Sequence, residues 1–222
     1  MSLERVQRLR LRGEHHKARE LAQKVLRGER NDGAIALLRN EIGLVNKATG
    51  HYREARNQYE RGLLQVWADG PVDRDEAATL LHNLAGIRFV LGDPAGAVRC
   101  GLRGLAMRRR LWGDDDLAAL LDEGNVAPIL AALGLLDTAQ IMLNRLLWEF
   151  RSRREDAEVA ATLANLGALA GYREDWFAAH ELLQRALAIK ERCYGKHSPE
   201  LELTRANLAV AAARIPPELA RR

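Results

Sequence analysis

The chain has 222 residues, 47% of them hydrophobic and 29% charged, a balance that fits a folded globular protein and excludes a disordered one. Its formal charge of +4 comes from 34 basic residues interspersed with 30 acidic ones, too mild an excess to call for nucleic acid. Two cysteines, Cys100 and Cys193, exclude a disulfide framework or a cysteine-built metal cage, and no apolar run approaches the ~18 residues of a membrane span.

Aromatic residues are scarce at 5%, while the helix formers Ala, Leu, Arg and Glu abound, so an all-α chain is expected. The start, "MSLERVQRLRLRG", is basic but lacks the uninterrupted apolar core of a signal peptide. The expected setting is therefore cytoplasmic, with reduced thiols.

Taken in chain order, residues 1–30 read as a short, degenerate helical pair hinged at "GEHHKA" (13–18). The frame Gly-x4-Ala returns in "GHYREA" (50–55), "GDPAGA" (92–97) and "GLLDTA" (134–139), at spacings of 37, 42 and 42. A fifth copy follows 40 residues later, with Glu174 in the glycine place and Ala179 in the alanine place. A second series runs in register with the first: "HNL" (82–84), "GNV" (124–126), "ANL" (164–166) and "ANL" (206–208). A period of this length marks stacked supersecondary units.

Each unit reads as two helices. In "TLANLGALAGY" (162–172), Leu163, Leu166 and Ala170 recur at helical spacing. In "WFAAHELLQRALAIKERCYG" (176–195), Phe177, Ala179, Leu182, Leu183, Ala186, Leu187 and Ile189 do the same. The glycine supplies a left-handed turn after the first helix, and the alanine lets the second cross it closely. Between units, Gly113 is a candidate C-terminal cap, Asp114 to Asp116 offer N-cap oxygens, and Pro199 suits the first turn of a helix. The segment 200–214 is a first helix without a second, expected to cap the stack, with Pro216-Pro217 stopping it. Pro128 falls inside a first helix opposite Gly124, which predicts a distortion at 124–128.

This pattern resembles the tetratricopeptide repeat, above all the longer variety of kinesin light chains. Residues 161–202 are similar to that variety almost throughout, with the early Thr-Leu, the Asn-Leu pair, "RALAI", and Gly followed by His and Pro. The resemblance covers roughly residues 35–213, with a weaker copy at 1–30. It implies a right-handed superhelical solenoid of about five helical hairpins plus a C-terminal capping helix. The array would span 35–215, followed by a tail at 216–222.

The resemblance further implies a concave groove lined by first helices, with the recurrent asparagines Asn83, Asn125, Asn165 and Asn207 facing an extended peptide. A carboxamide both donates and accepts, so it can match peptide amides whatever their side chains. The alternative is that each asparagine bonds a neighbouring repeat and sets stacking. Placed by the same frame, Asn40, Lys47, His82, Phe89, Tyr172, Gln7 and Arg10 fall on the groove face. Lys47 and Arg10 are expected to meet a ligand carboxylate, while Lys47, Phe89 and Tyr172 would give selectivity.

No HExxH, Walker loop, GxSxG or paired CxxC occurs, and His15-His16 point about 100° apart on a helix, a poor chelate. Catalysis, cofactors and metals are therefore not expected. The basic runs "RRR" (108–110) and "RSRR" (151–154) are followed closely by acids, so charge-laced outer faces explain them better than DNA or RNA. The expected function is a protein-interaction module, monomeric or weakly dimeric, that binds a protein or peptide segment. The alternative is a peptide-responsive regulator acting on a partner protein.

Overall fold

The left-handed turns anticipated at the repeated glycines organise the whole fold. In the computed structural model, which describes residues 2–68, 70 and 72–216, every regular element among the described residues is helical. Gly13, Gly50, Gly92 and Gly134 all have φ between 75° and 80°. At Gly50 the His51 N–H donates to Asn46 O at 2.8 Å and the Gly50 N–H to Lys47 O at 3.2 Å, which satisfies the last carbonyls of the first helix. The same two bonds recur around Gly92 and Gly134. They also form around Glu174, which keeps the conformation without the glycine, at φ 61°.

The chain divides into two compact units, Met1–Ile129 and Leu130–Arg222. The first contains the hairpins α1 (Ser2–Leu11) with α2 (His15–Leu26), α3 (Asp32–Ala48) with α4 (Tyr52–Val66), and α5 (Asp75–Val90) with α6 (Pro94–Trp112). The boundary falls inside α7 (Leu117–Ala132). The second unit contains α8 (Leu136–Ser152), then the hairpin α9 (Asp156–Tyr172) with α10 (Trp176–Tyr194). A 3-10 turn at Pro199–Leu201 leads into α11 (Glu202–Arg214). No helix among the described residues is long and apolar enough to cross a membrane.

Packing explains the alanine in each frame. Ala18, Ala55, Ala97 and Ala139 are fully buried, and Ala179 nearly so. Ala55 lies in a cluster with Ala36, Tyr59, Leu80 and Ile87, where α3, α4 and α5 meet. A larger side chain there would overpack the crossing, at a typical cost of about 1–3 kcal/mol. Close approach is also what Gly43 permits, since a Cβ there would collide with the buried Tyr59 ring. In the second unit Ala179 and Leu183 of α10 pack on Ala211 of α11.

The caps are where the sequence placed them. Asp116 Oδ1 accepts from the Ala118 and Ala119 N–H groups, Gly113 ends α6 at φ 95°, and Pro199 opens the 3-10 turn before α11. Helix α11 ends at Arg214, just before Pro216, whereas Pro217 and the rest of the expected tail lie outside the described residues. α7 runs from Leu117 to Ala132 with Pro128 inside it. One expectation needs correction. Phe177 does not join the buried stripe of α10: 47% of its surface is exposed, because it stands about 200° around the helix from Ala179, on the face away from Ala179, Leu183 and Ala186.

Candidate functional site

Within Met1–Ile129 the first helices lie side by side, α1 against α3 and α3 against α5. That arrangement turns the polar residues on their shared face toward one another. Asn83 Nδ2 donates to Asn40 Oδ1 at 2.8 Å, and Asn125 Nδ2 donates to the His82 carbonyl at 3.3 Å. Three of the expected groove asparagines are thus joined to a neighbouring first helix, each bond worth about 1 kcal/mol net.

Charged residues on this face are also engaged internally. Arg10 Nε donates to Glu41 Oε2 at 2.7 Å, and Gln7 Nε2 donates to Glu41 Oε1 at 3.3 Å. Glu41 is buried, so α1 is pinned to α3 by a desolvated carboxylate. The charge of Arg10, expected to meet a ligand, is matched here by this chain's own Glu41.

His82 belongs to a larger cluster. Its Nδ1 lies 2.7 Å from Asp122 Oδ1, whose other oxygen accepts from Arg108 Nε at 3.2 Å. Arg108 also donates to Thr79 Oγ1 at 3.2 Å and to Asp75, which in turn accepts from Trp112 Nε1. Arg109 Nη2 donates to the buried Glu123 at 2.9 Å. These bonds join α5, α6 and α7 through two buried carboxylates. Their geometry positions helices; it does not aim a nucleophile at a cavity.

Two hollows lie beside the expected groove residues. One, of about 530 Å³, is lined by Arg10, Leu11, His15, Leu44, Lys47, Tyr52 and Val90 of the first unit. Lys47 is exposed there, and Phe89, next to Val90, is also exposed. The other, of about 390 Å³, lies where α9, α10 and α11 meet in the second unit. Its walls include Gly167, Ala168, Tyr172, Trp176, Asn207 and Val210. A Cβ on Gly167 would press on Leu183, so a glycine is required where α9 and α10 approach behind this hollow. Asn165, Ala168 and Tyr172 stand at i, i+3 and i+7 on one stripe of α9. Asn165 and Asn207 are half-buried and have no hydrogen-bond partner among the described residues. The Arg214 guanidinium covers the Trp176 ring at 5.2 Å.

The sequence did not announce Glu41, Asp122, Arg108 or Trp176. Glu41 and Asp122 neighbour the marked positions Asn40 and Asn125, yet acids among apolar residues carry no sign of which distant cation they meet. Among the described residues no group of three His, Cys, Asp or Glu is placed to hold a metal.

Residues 159–200 match the family described as tetratricopeptide repeat. Among solved structures, the chain is similar to a putative kinesin light chain of nearly identical TPR-like repeats from Podosopora anserina. That likeness has 19% identity and a TM-score of 0.67, and it covers 89% of this chain and 96% of that one. The chain has a tetratricopeptide-repeat fold. It is also similar to YrrB, described as a TPR protein with an unusual peptide-binding site, at 20% identity and TM-score 0.58, covering 96% of this chain and 91% of YrrB. A Rap protein complexed with competence and sporulation factor aligns at 14% identity and TM-score 0.70, covering 96% and 70%. None of the curated proteins matches the sequence. In this chain the α9–α10 hairpin is the matched repeat, and the hollow holding Tyr172 lies between that hairpin and α11.

Proposed function

We propose that this chain is a protein-interaction module whose recognition site is the hollow at α9, α10 and α11, where it holds an extended peptide segment. The observation that carries this reading is the contrast between the asparagines. Asn40, Asn83 and Asn125 take part in bonds between first helices, whereas Asn207, which lines the hollow with Tyr172, Trp176 and Val210, and Asn165, on the α9 stripe that leads to Tyr172, keep both donor and acceptor unused. Half-buried carboxamides without partners gain most from a ligand that supplies backbone amides, because water reaches them poorly. The aromatic walls provide apolar contact to a side chain, and the carboxamides fix the strand beside it.

The peptide-binding site named for YrrB, and the complex of the Rap protein with competence and sporulation factor, support this reading by analogy of fold. Tetratricopeptide folds typically serve as scaffolds, in keeping with a binding role.

The test is selection of peptides on the wild-type chain from a random display library, followed by titration of the best binder. Asn165→Ala with Asn207→Ala should weaken that peptide about tenfold or more while the melting temperature stays within about 2 °C. Unchanged affinity, or collapse of the fold in the double variant, would show that these asparagines act in stacking rather than recognition.

A further inference from the structure

The positive charge of this chain is not spread along it. Residues 1–30 hold nine Lys and Arg against four Glu, whereas the remaining residues, with 25 against 26, are near neutral. Structure sharpens the contrast. Arg88, Arg108, Arg110, Arg173 and Arg205 each reach a carboxylate. Arg5, Arg8, Arg12, Lys24 and Arg27 of the first hairpin reach none among the described residues, and all five are exposed.

These cations are gathered rather than scattered. A trough of about 610 Å³ runs between α1 and α2, lined by Arg5, Lys17, Lys24 and Arg27 with Leu9 and Leu21. The lining also includes Glu20, and Lys17 is paired with Glu14, so Arg5, Lys24 and Arg27 are its unpaired cations. A smaller hollow of about 260 Å³, sharing Arg5 and Leu9, continues it toward Arg8 and Arg12. Arg5 and Arg8 stand at i and i+3 on α1, so like charges face one another on a helix of only ten residues, and Arg12 follows directly after its end. Such neighbours oppose the helix, and carboxylates laid between them would reverse that opposition.

We propose that this trough is a docking surface for an acidic amphipathic helix of a partner protein. The guanidinium forks take carboxylates in bidentate fashion, and the Leu9–Leu21 floor takes the apolar stripe of the incoming helix. The first hairpin contains no Phe, Tyr or Trp, so it has no platform on which bases could stack. A second copy of this chain is a poor occupant, because the remainder of the sequence is near neutral. The surface is built on α1 and α2 and does not depend on the peptide site at α9–α11.

The probe is a fluorescein-labelled synthetic helix composed of Glu and Leu, titrated by anisotropy against the whole chain. A 20-base-pair duplex and phosphatidylserine vesicles are run at the same ionic strength. The comparison variant carries Arg5→Gln, Arg8→Gln, Lys24→Gln and Arg27→Gln, all at exposed positions. The wild-type chain should bind the peptide more tightly than the duplex or the vesicles, and the variant should lose about tenfold or more while circular dichroism stays unchanged. Equal binding by wild type and variant would overturn the proposal. So would tighter binding of the duplex or the vesicles, which would reassign the trough to nucleic acid or lipid.

Discussion

Arg108 offers the sharpest test of how the first unit is held together. Its side chain is 7% exposed and bonds Asp122, Asp75 and Thr79 at once. The two carboxylates would respond differently to its loss. Asp75 is 50% exposed and can be rehydrated, whereas Asp122 is 5% exposed and would keep only its hydrogen bond with His82. Breaking one side of a buried pair costs about 3–5 kcal/mol, and the surviving His82 contact places Arg108→Leu near the lower end, about 3 kcal/mol. For a chain of this size that corresponds to a fall in melting temperature of about 6–12 °C. The double variant Arg108→Leu with Asp122→Leu removes both members of this buried pair and should recover at least about half of the loss. Thermal melts followed by far-ultraviolet circular dichroism read both values. A shift under about 2 °C for the single variant, or a double variant no better than the single one, would refute the claim that desolvated charge dominates here.

Two smaller perturbations address the turns and the pH response. Glu174→Gly should raise stability by about 0.5–1 kcal/mol by relieving a left-handed residue, and Gly134→Glu should lower it by about 1 kcal/mol, both read by denaturant titration. Burial, and then the nearby Glu155, push the Glu158 carboxyl above its ordinary 4.5. The folded chain therefore holds that proton more tightly than the unfolded chain does. The stability this contributes is full below pH 4.5 and is lost as pH rises through the folded value. Glu158→Gln should accordingly match the wild type in acid and become progressively the more stable of the two above pH 4.5, with melts across pH as the measure.

Much of the fold was legible because its determinants are local and repeated. A left-handed residue at each turn and a methyl-sized residue at each crossing are demands of backbone geometry, and both recur near 42 residues. Helix ends were legible for the same reason, as at Asp116 and Gly113. The turn after α8 escaped notice because Arg154 takes φ 60° without a glycine to signal it. Phe177 was misassigned because its apolar side chain outweighed its register: two residues before Ala179, it stands about 200° around the helix from the buried stripe.

The candidate site divides in the same way. Repetition marked the asparagines, and their positions on first helices follow from the register alone. Which carboxamides are consumed by the fold, and which remain unused, could come only from the packed chain. Asn83 meets Asn40 across 43 residues and His82 meets Asp122 across 40, while Arg10 is matched by Glu41 across 31. Hydrogen bonds of that range depend on how neighbouring hairpins sit to within a few tenths of an ångström, which no local pattern encodes. Secondary structure and repeat register were written in the order of residues; the pairing of polar side chains was decided by assembly, because each has several chemically suitable partners and only three-dimensional packing selects among them.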